Sequence, residues 1–224
     1  MIEHIEQGTL PAHVKACIAL TSWKRRINTV GLTIYNLFET CGPDYHIVLT
    51  LAEEEFPKKE QELPRDLVLM NRAGVFEILW VKKNWKSLKK WIFCGLKFQT
   101  VPIISADDDC LYKCNYAEEL FNRWLCTSCP IITYNKCEGW CKTQGPCTLY
   151  NPVRMPFISM ALEKYSNDAQ DDGIISDVIT ALGIPTTYYK SGKDFPFVFH
   201  TTAYALNPSQ YHESKYKNCI ITSL

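Results

Sequence analysis

The first half of the chain alternates short apolar runs with segments of helical spacing, and this alternation limits the fold more than any other feature. The apolar runs cover residues 16–20, 46–51, 77–81 and 101–105. Segments with helix-spaced apolar residues lie among them, so the pattern predicts β-α-β units. Such units build a mostly parallel sheet flanked by helices. We therefore predict an α/β protein that binds its ligand beyond the carboxyl ends of the strands.

Several helices can be placed from the same pattern. One is predicted from Ile27 to the residues before Gly42, one over 82–98, and one over 174–182. Asn115 with Glu118, three residues later, is typical of a capping box at the start of a further helix. Residues 126–150 are irregular in pattern, so the second half is expected to be less regular than the first.

Length, composition and charge exclude several classes of protein. The chain has 224 residues, 24 Lys and Arg against 24 Asp and Glu, and 46% hydrophobic residues. These values predict a single domain over 1–224 with a buried core, and they exclude a disordered chain. The balanced charge argues against a protein that binds bulk nucleic acid.

The amino-terminal residues lack the basic and apolar regions of a signal peptide. No run approaches the ~18 apolar residues of a membrane span. We therefore expect a cytoplasmic protein with no integral membrane segment. The 11 cysteines agree with a reducing compartment, because an odd number of thiols cannot all pair within the chain.

The run 101–105 leads directly into three acidic residues, here called the acidic triplet: Asp107, Asp108 and Asp109. Three neighbouring carboxylates repel one another, so a fold that gathers them at a strand end needs a compensating positive charge. Mg²⁺ or Mn²⁺ prefers oxygen ligands and keeps positions open for phosphate oxygens. We predict that Asp107 and Asp109 bind such a metal. The alternative is an acidic turn in solvent.

A second carboxylate pair, Asp171 and Asp172, comes just before the helix that begins near Gly173. Aspartate is a favoured N-cap residue and complements the helix dipole. One carboxylate of the pair can also act as a general base if it lies within hydrogen-bond reach of a substrate hydroxyl. Both interpretations remain open.

Two basic segments are also expected at strand ends. Residues 82–90 contain five lysines in nine positions, and the loop after the first run contains Thr21, Ser22, Lys24, Arg25 and Arg26. Free backbone N–H groups at a helix start, together with ammonium groups, favour a phosphate. A solvated helical face is the alternative for 82–90. Together with the acidic triplet, the segments indicate a diphosphate held through a metal.

An ordered series of segments carries a resemblance to a known family. The segments are 18–26, 53–57, 63–64, 81–84, 86–90 and 104–109. In this order they resemble bacterial nucleotide-sugar glycosyltransferases of the GT-A type, which act in surface-polysaccharide synthesis. The resemblance spans roughly residues 16 to 190.

The resemblance implies a Rossmann-like nucleotide-binding half over about 16–110 and an acceptor-binding half over 111–224. The nucleotide-sugar donor is then expected to contact the following residues: Thr21, Ser22, Arg25, Lys90, Asp107 and Asp108. Asp107 and Asp109 match the pair that binds Mn²⁺ or Mg²⁺ in this family. Asp172, with Asp171 beside it, matches the acidic pair that supplies the base. Residues 145–152 match a glycine-rich loop, although Pro146 and Cys147 stand where more glycine is expected.

The activity that the resemblance implies is a metal-dependent glycosyltransferase. A sugar moves from a nucleotide-diphosphate sugar to a hydroxyl of a glycan or of a lipid-linked acceptor. A lipid-linked acceptor can bring a cytoplasmic enzyme to the inner face of the membrane as a peripheral protein.

Cysteine, histidine and aromatic residues in the second half are further candidates. Cys126, Cys129, Cys137 and Cys141 have spacings compatible with structural zinc, and scattered thiols are the alternative. His200 lies where some GT-A enzymes place a metal-binding histidine, and a structural histidine is the alternative. Trp140 and Tyr150 are candidates for stacking on an acceptor sugar.

Two other functions remain open from the sequence. A sugar-nucleotide pyrophosphorylase also uses an α/β nucleotide fold, but it is expected to carry a glycine-rich loop after the first strand, and residues 21–24 contain no glycine. A non-catalytic, zinc-stabilised interaction module explains the cysteines but gives no role to the two acidic clusters.

Overall fold

The structure, a computed structural model, describes residues 2–136, 143, 145–162, 171–190 and 195–200, apart from the side chains of Asp171 and Asp172. The strands are β1 (Ala16–Thr21), β2 (Tyr45–Ala52), β3 (Glu77–Val81), β4 (Ile103–Ser105), β5 (Cys110–Tyr112), β6 (Ile131–Asn135), β7 (Thr148–Tyr150), β8 (Thr186–Lys190) and β9 (Phe197–Phe199). The helices are α1 (Val30–Cys41), α2 (Arg65–Arg72), α3 (Lys89–Lys97), α4 (Tyr116–Thr127), α5 (Met155–Leu162) and α6 (Asp171–Ala181).

Seven strands form one sheet in the order β3-β2-β1-β4-β7-β6-β8. Strand β1 pairs in parallel with β2 and β4, and β2 pairs in parallel with β3. Strand β7 is antiparallel to β4 and β6, and β8 is parallel to β6. Every strand of this sheet except β7 therefore runs in the same direction. Their carboxyl ends meet at one edge, here called the carboxyl edge, and their starts meet at the amino edge.

The sheet is buried on both faces, which explains the continuous apolar run in β1. Ile18 and Leu20 pack on one face against residues of α1, α2 and α4, whereas Cys17 and Ala19 pack on the other against α3, α5 and α6. Parallel strands covered by helices on both sides carry apolar residues at every position rather than at alternate ones. The two hydrophobic clusters fix the sheet in the middle of the fold and leave its two edges for polar residues.

The predicted class, a mostly parallel α/β sheet flanked by helices, is confirmed. The four predicted strands coincide with β1, β2, β3 and β4, and each boundary agrees within two residues. None of the helices in the described parts of the chain has both the length and the apolar content needed to cross a bilayer.

Two helix predictions are wrong in extent. The helix predicted from Ile27 begins only at Val30, because the preceding residues form turns. The helix predicted over 82–98 is reduced to α3, preceded by a 3-10 turn over Lys86–Leu88. Lys86 has a φ of 49°, a left-handed conformation that interrupts an α-helix, and its N–H donates to Asn84 Oδ1 at 2.9 Å. The lysines before Lys89 therefore lie in a turn.

The capping box predicted at the start of α4 is also wrong. Asn115 precedes the helix with a φ of 66° and makes no side-chain capping bond. Glu118 instead accepts hydrogen bonds from Lys15 Nζ at 2.9 Å and from Tyr45 OH at 2.7 Å. This carboxylate joins α4 to the amino edge of the sheet, a long-range contact that the local pattern does not encode.

Candidate active site at the carboxyl edge

Polar and charged residues collect at the carboxyl edge. Ser22 follows β1, Glu55 follows β2, Lys89 and Lys90 follow β3, and the acidic triplet follows β4. Because these strands are parallel neighbours, residues that are far apart in sequence come together here. This is the place where open α/β sheets bind their ligands.

Arg26 supplies the positive charge that the acidic triplet needs. Its Nη1 donates to Asp108 Oδ1 at 2.5 Å and to Asp109 Oδ2 at 2.8 Å. The three side chains are almost fully buried, with 9% of Arg26, 9% of Asp108 and 3% of Asp109 exposed. Ser22 Oγ donates to the other oxygen of Asp108 at 2.6 Å. The contacts of Arg26 and Ser22 therefore compensate the repulsion between neighbouring carboxylates that the sequence predicts.

Asp107 is the exposed member of the acidic triplet, with 29% of its side chain accessible. Its Oδ1 accepts a hydrogen bond from Lys90 Nζ at 2.5 Å, and the Lys90 side chain is only 2% exposed. The Asp107 backbone N–H donates to Tyr112 OH at 2.7 Å. Asp107 is thus fixed by side chain and backbone while its carboxylate still reaches the surface.

Burial dominates the electrostatics of the other two carboxylates. It raises the pKa of Asp108 above the usual value, although Arg26 and Ser22 act in the opposite direction. It raises the pKa of Asp109 to about 7, again against the effect of Arg26. Loss of solvation disfavours a charged carboxylate, and a charged neighbour compensates only in part. Strongly shifted groups of this kind are common at functional sites.

The backbone of the acidic triplet is held from α1 and β9. Thr33 Oγ1 lies 3.1 Å from the carbonyl oxygen of Asp108 and 3.0 Å from that of Cys110. His200 Nε2 lies 3.0 Å from Thr33 Oγ1, and the His200 N–H donates to the carbonyl of Asp109 at 2.9 Å. Because the single Thr33 hydroxyl proton is directed to a carbonyl, Nε2 of His200 is assigned as the donor to Thr33. His200 therefore lies beside the acidic triplet, and its Nε2 is bonded to the Thr33 hydroxyl.

Lys89 is a second buried cation at this edge. Its Nζ donates to the Lys86 carbonyl at 2.9 Å and lies 3.7 Å from Glu55 Oε2. Burial lowers the pKa of Lys89 to about 8, although Glu55 and Asp108 favour its charged form. Burial likewise raises the pKa of Glu55. The site thus holds an ammonium group that titrates close to neutral pH.

The structure locates each predicted donor-binding residue. Ser22, Lys90, Asp107 and Asp108 lie together, whereas Thr21 Oγ1 donates to the Thr50 carbonyl at 2.7 Å and ties β1 to β2. Arg25 is exposed, and its guanidinium lies 5.5 Å from the centroid of the Trp23 ring.

Sequence reasoning did not single out three residues of the site: Arg26, Lys89 and Thr33. Arg26 could be recognised only as one of three consecutive basic residues, since nothing in their spacing tells which one turns inward. Lys89 was one lysine of a crowded run. Thr33 was hidden among the polar positions of a helix.

The second acidic pair forms the first turn of α6. Strand β8 runs in the same direction as β4, so it starts at the amino edge. Helix α6 ends just before the start of β8, and its first turn therefore lies on the side of the carboxyl edge. The carboxylates of Asp171 and Asp172 lie outside the described side chains. Their role as base or cap stays a prediction.

A divalent cation at Asp107 and Asp109 would compete with basic side chains that already bond to both carboxylates. Mg²⁺ binds its oxygen ligands at about 2.0–2.1 Å, but the Asp109 Oδ2 atom already accepts from Arg26 and its Oδ1 lies 3.6 Å from the Cys110 thiol. Asp107 is bonded to Lys90. Within the described residues, no three His, Cys, Asp or Glu side chains form a group that could hold a metal ion without further ligands. The predicted metal ligands therefore find no support in this geometry.

The segment expected to be glycine-rich has a backbone suited to glycine. Cys147 has a φ of 75°, in the left-handed region, and its N–H donates to the Ser105 carbonyl at 2.8 Å. Tyr150 is fully buried and packs edge-on against Trp91, so it offers no face to an acceptor sugar. Trp140, the other stacking candidate, lies outside the described residues.

The structure describes two of the four cysteines of the predicted zinc site. Cys126 is an exposed thiol, and the Cys129 sulfur lies 3.5 Å from the carbonyl oxygens of Ile131 and Pro185. Cys137 and Cys141 lie outside the described residues, so zinc binding stays a prediction.

Comparison with known proteins identifies the fold. No family model and no curated protein matches the chain. Among solved structures it is similar to S. aureus TarS residues 1–349, with a TM-score of 0.56 and 7% identity, over 82% of this chain and 59% of that one. It is also similar to the same TarS fragment in complex with UDP, with a TM-score of 0.54 and 7% identity, over 73% and 54%.

The chain therefore spans less than two thirds of the TarS fragment. At this identity the likeness concerns the fold alone, which is a Rossmann-like α/β fold.

Proposed function

We propose that this chain is a glycosyltransferase that moves a sugar from a nucleotide-diphosphate sugar to a hydroxyl of a glycan or a lipid-linked acceptor. The observation that carries the proposal is the acidic triplet with its buried lysines at the carboxyl edge of a sheet whose fold resembles that of TarS, one structure of which holds UDP. Residues 16–110 are assigned to the donor and 111–224 to the acceptor.

The donor is assigned to the exposed side of the carboxyl edge, around Thr21, Arg25, Lys90 and Asp107. When the bond between the sugar and the diphosphate breaks, negative charge builds up on the departing phosphate oxygens. Ammonium groups already held in place stabilise that charge without reorganisation, and their effect is larger where water is excluded. Lys90 is 2% exposed and pinned to Asp107, which meets both conditions. Asp108, the neighbour of Asp107, is held in place by Ser22 and Arg26.

Asp172, with Asp171 beside it, is assigned as the base. The acceptor hydroxyl loses its proton to the Asp172 carboxylate, its oxygen attacks the anomeric carbon, and the carbon–oxygen bond to the diphosphate breaks. A nucleoside diphosphate leaves, and the configuration at the anomeric carbon inverts. The start of α6 on the side of the carboxyl edge supports this assignment.

Nucleotide binding tests the proposal most directly. Isothermal titration calorimetry with UDP, GDP, dTDP and ADP is expected to show saturable binding of one nucleoside diphosphate. The corresponding nucleotide sugars are then expected to release that nucleotide slowly in the presence of the protein. If none of the four nucleotides binds, the chain is not a nucleotide-sugar glycosyltransferase.

The base assignment has a matched control on the same helix. Asp172→Asn should lower the rate of nucleotide release from the nucleotide sugar by about 100-fold or more, which is the scale of a lost general base. Its affinity for the nucleotide should stay unchanged. Asp177→Asn changes an exposed carboxylate of α6 and should leave turnover unchanged. Equal turnover of the two variants would remove Asp172 from the mechanism.

A further inference from the structure

Each carboxylate of the acidic triplet is paired with a basic side chain of the same chain. Arg26 bonds to Asp108 and Asp109, and Lys90 bonds to Asp107. Three neighbouring negative charges are thus met by two cations in direct contact. Lys89, the residue before Lys90 in α3, adds a third positive charge that also acts on Asp108. The positive charge expected from a bound cation is already present in the fold.

Arg26 and a divalent cation cannot use the same carboxylate oxygens. The guanidinium lies between Asp108 Oδ1 and Asp109 Oδ2, at 2.5 and 2.8 Å. A metal that uses Asp109 Oδ2 would have to displace it from a place where only 9% of its side chain is exposed. Guanidinium is always charged and its planar fork suits two carboxylates, so the displaced group would lose both partners at once.

Local structure holds Arg26 in this position. The N–H of Arg26 donates to the Trp23 carbonyl at 2.9 Å, and the Arg26 carbonyl accepts from Thr29 N–H at 2.9 Å and from Val30 N–H at 3.3 Å. These bonds form the turns that lead from β1 into α1. Farther along the same helix, Thr33 contacts the backbone of the acidic triplet. Arg26 and its two carboxylates are therefore held relative to each other by α1 and the turns that precede it.

We propose that Arg26 is the resident counter-cation of the acidic triplet and that the nucleoside diphosphate binds at this edge without a divalent cation. The inference rests on the proposed function, since it concerns the same donor. The phosphates then meet positive charge from Lys89 and Lys90 rather than from a bound metal. Asp107, the exposed carboxylate, is left to orient Lys90.

The test compares nucleotide binding with and without metal. UDP, GDP, dTDP and ADP are each titrated into the full chain in EDTA and again in MnCl₂. For the nucleotide that binds, the two dissociation constants are expected to agree within about twofold, a difference of less than ~0.5 kcal/mol. Binding that occurs only with Mn²⁺ would overturn the inference and leave the proposed glycosyltransferase standing. Absence of binding in both buffers would remove the proposed function and the inference with it.

Variants of Arg26 give a second readout that does not depend on the nucleotide. Arg26→Ala opens the space between two buried carboxylates, so Mn²⁺ alone is expected to raise its melting temperature. Wild type, Arg26→Lys, which keeps a positive charge, and Arg72→Ala, which removes an exposed arginine of α2, are expected to show no such response. A wild-type protein that Mn²⁺ stabilises as strongly as Arg26→Ala would contradict the inference. This wild-type measurement stands even if Arg26→Ala fails to fold.

Discussion

The two edges of the sheet both carry clusters of opposite charges, but the net shift of the carboxylate pKa is downward at one edge and upward at the other. At the amino edge, Glu77 accepts from His46 at 2.9 Å and from Lys97 at 2.5 Å, and these hydrogen bonds outweigh burial and lower the pKa of Glu77. The hydrogen bond from Lys15 lowers the pKa of Glu118 in the same way. At the carboxyl edge, burial raises the pKa of Asp108 and lowers that of Lys89.

The charged pairs at the amino edge stabilise the fold, whereas those at the carboxyl edge lose solvation energy on folding. Side chains of the amino-edge pair Glu77 and Lys97 are 30% and 24% exposed, so water still solvates them and pairing adds to stability. Arg26 and Asp109, at 9% and 3%, have lost that solvation. Proteins keep such groups where chemistry needs them more often than where stability does. The comparison therefore supports the carboxyl edge as the functional one.

The largest expected effect comes from removing one cation at each edge. Arg26→Met leaves two buried carboxylates without their partner and should lower the free energy of unfolding by about 3–5 kcal/mol. Lys97→Met breaks a partly solvated pair and should lower it by about 1 kcal/mol or less. Urea denaturation of both variants at neutral pH measures the two values. Similar losses at both edges would erase the distinction between them.

The pH dependence of stability should also differ between the edges. The pKa of Lys89 is about 8 in the folded chain, below the ordinary value of 10.5, so between these values the unfolded state binds more protons. The stability of the wild type relative to Lys89→Met should therefore rise as the pH increases above 8, by at most about 1.4 kcal/mol per pH unit.

Lys15 provides the control at the amino edge. The Glu118 and Asp44 carboxylates raise the pKa of Lys15, so its contribution is fully present below 10.5. The stability difference between the wild type and Lys15→Met should therefore stay flat from pH 7 to pH 9.5. Urea midpoints measured across this range compare the two lysines, and parallel profiles would contradict the burial argument.

Nucleotide affinity gives a smaller effect confined to one edge. Lys90→Ala removes a buried ammonium group assigned to the diphosphate and should weaken nucleotide binding about tenfold or more, the scale of one charged hydrogen bond. Lys97→Ala removes a lysine from the far edge and should leave the dissociation constant unchanged. Calorimetry with the nucleotide identified in the screen compares them. If Lys97→Ala has the larger effect, the donor is assigned to the wrong edge.

The fold was more predictable from the sequence than the site. Strands β1 to β4 could be predicted because burial on both faces leaves short, continuous apolar runs in the sequence. Strands β5, β7 and β9 have three residues each, too few to show a period, whereas β4 is as short but is marked by the apolar run 101–105. The acidic triplet was recognised as a site because it follows a strand. The arginine that neutralises it was not, because the choice among Lys24, Arg25 and Arg26 is made by tertiary packing.

Metal binding at Asp107 and Asp109 stays a prediction, and only its premise, the need for positive charge, can be compared with the contacts described above. Three adjacent carboxylates do require positive charge, as the sequence indicated. The sequence could not tell whether an ion or a side chain supplies it, because Arg26 is 82 residues away from Asp108 in the chain. Contacts over such separations depend on strand order, which local patterns do not encode.

The smallest expected effect concerns the backbone at each edge. Cys147 lies at the carboxyl edge with a φ of 75°, whereas Cys17 lies in β1 with no such strain. Both thiols are fully buried. Replacing Cys147 by Gly or by Ala removes the sulfur in either case, so the two variants differ only in the cost of a left-handed residue. Cys147→Gly should be more stable than Cys147→Ala by about 1 kcal/mol.

Cys17 reverses the expected order. In an extended strand glycine loses more conformational freedom on folding than alanine does, so Cys17→Gly should be less stable than Cys17→Ala by roughly 0.5–1 kcal/mol. Thermal or urea denaturation of the four variants gives both differences without any ligand. If alanine is preferred at both positions, the left-handed backbone at Cys147 carries no strain. If glycine gives the more stable variant at position 147 and alanine at position 17, the segment that is expected to be rich in glycine has a backbone that favours glycine beside the acidic triplet.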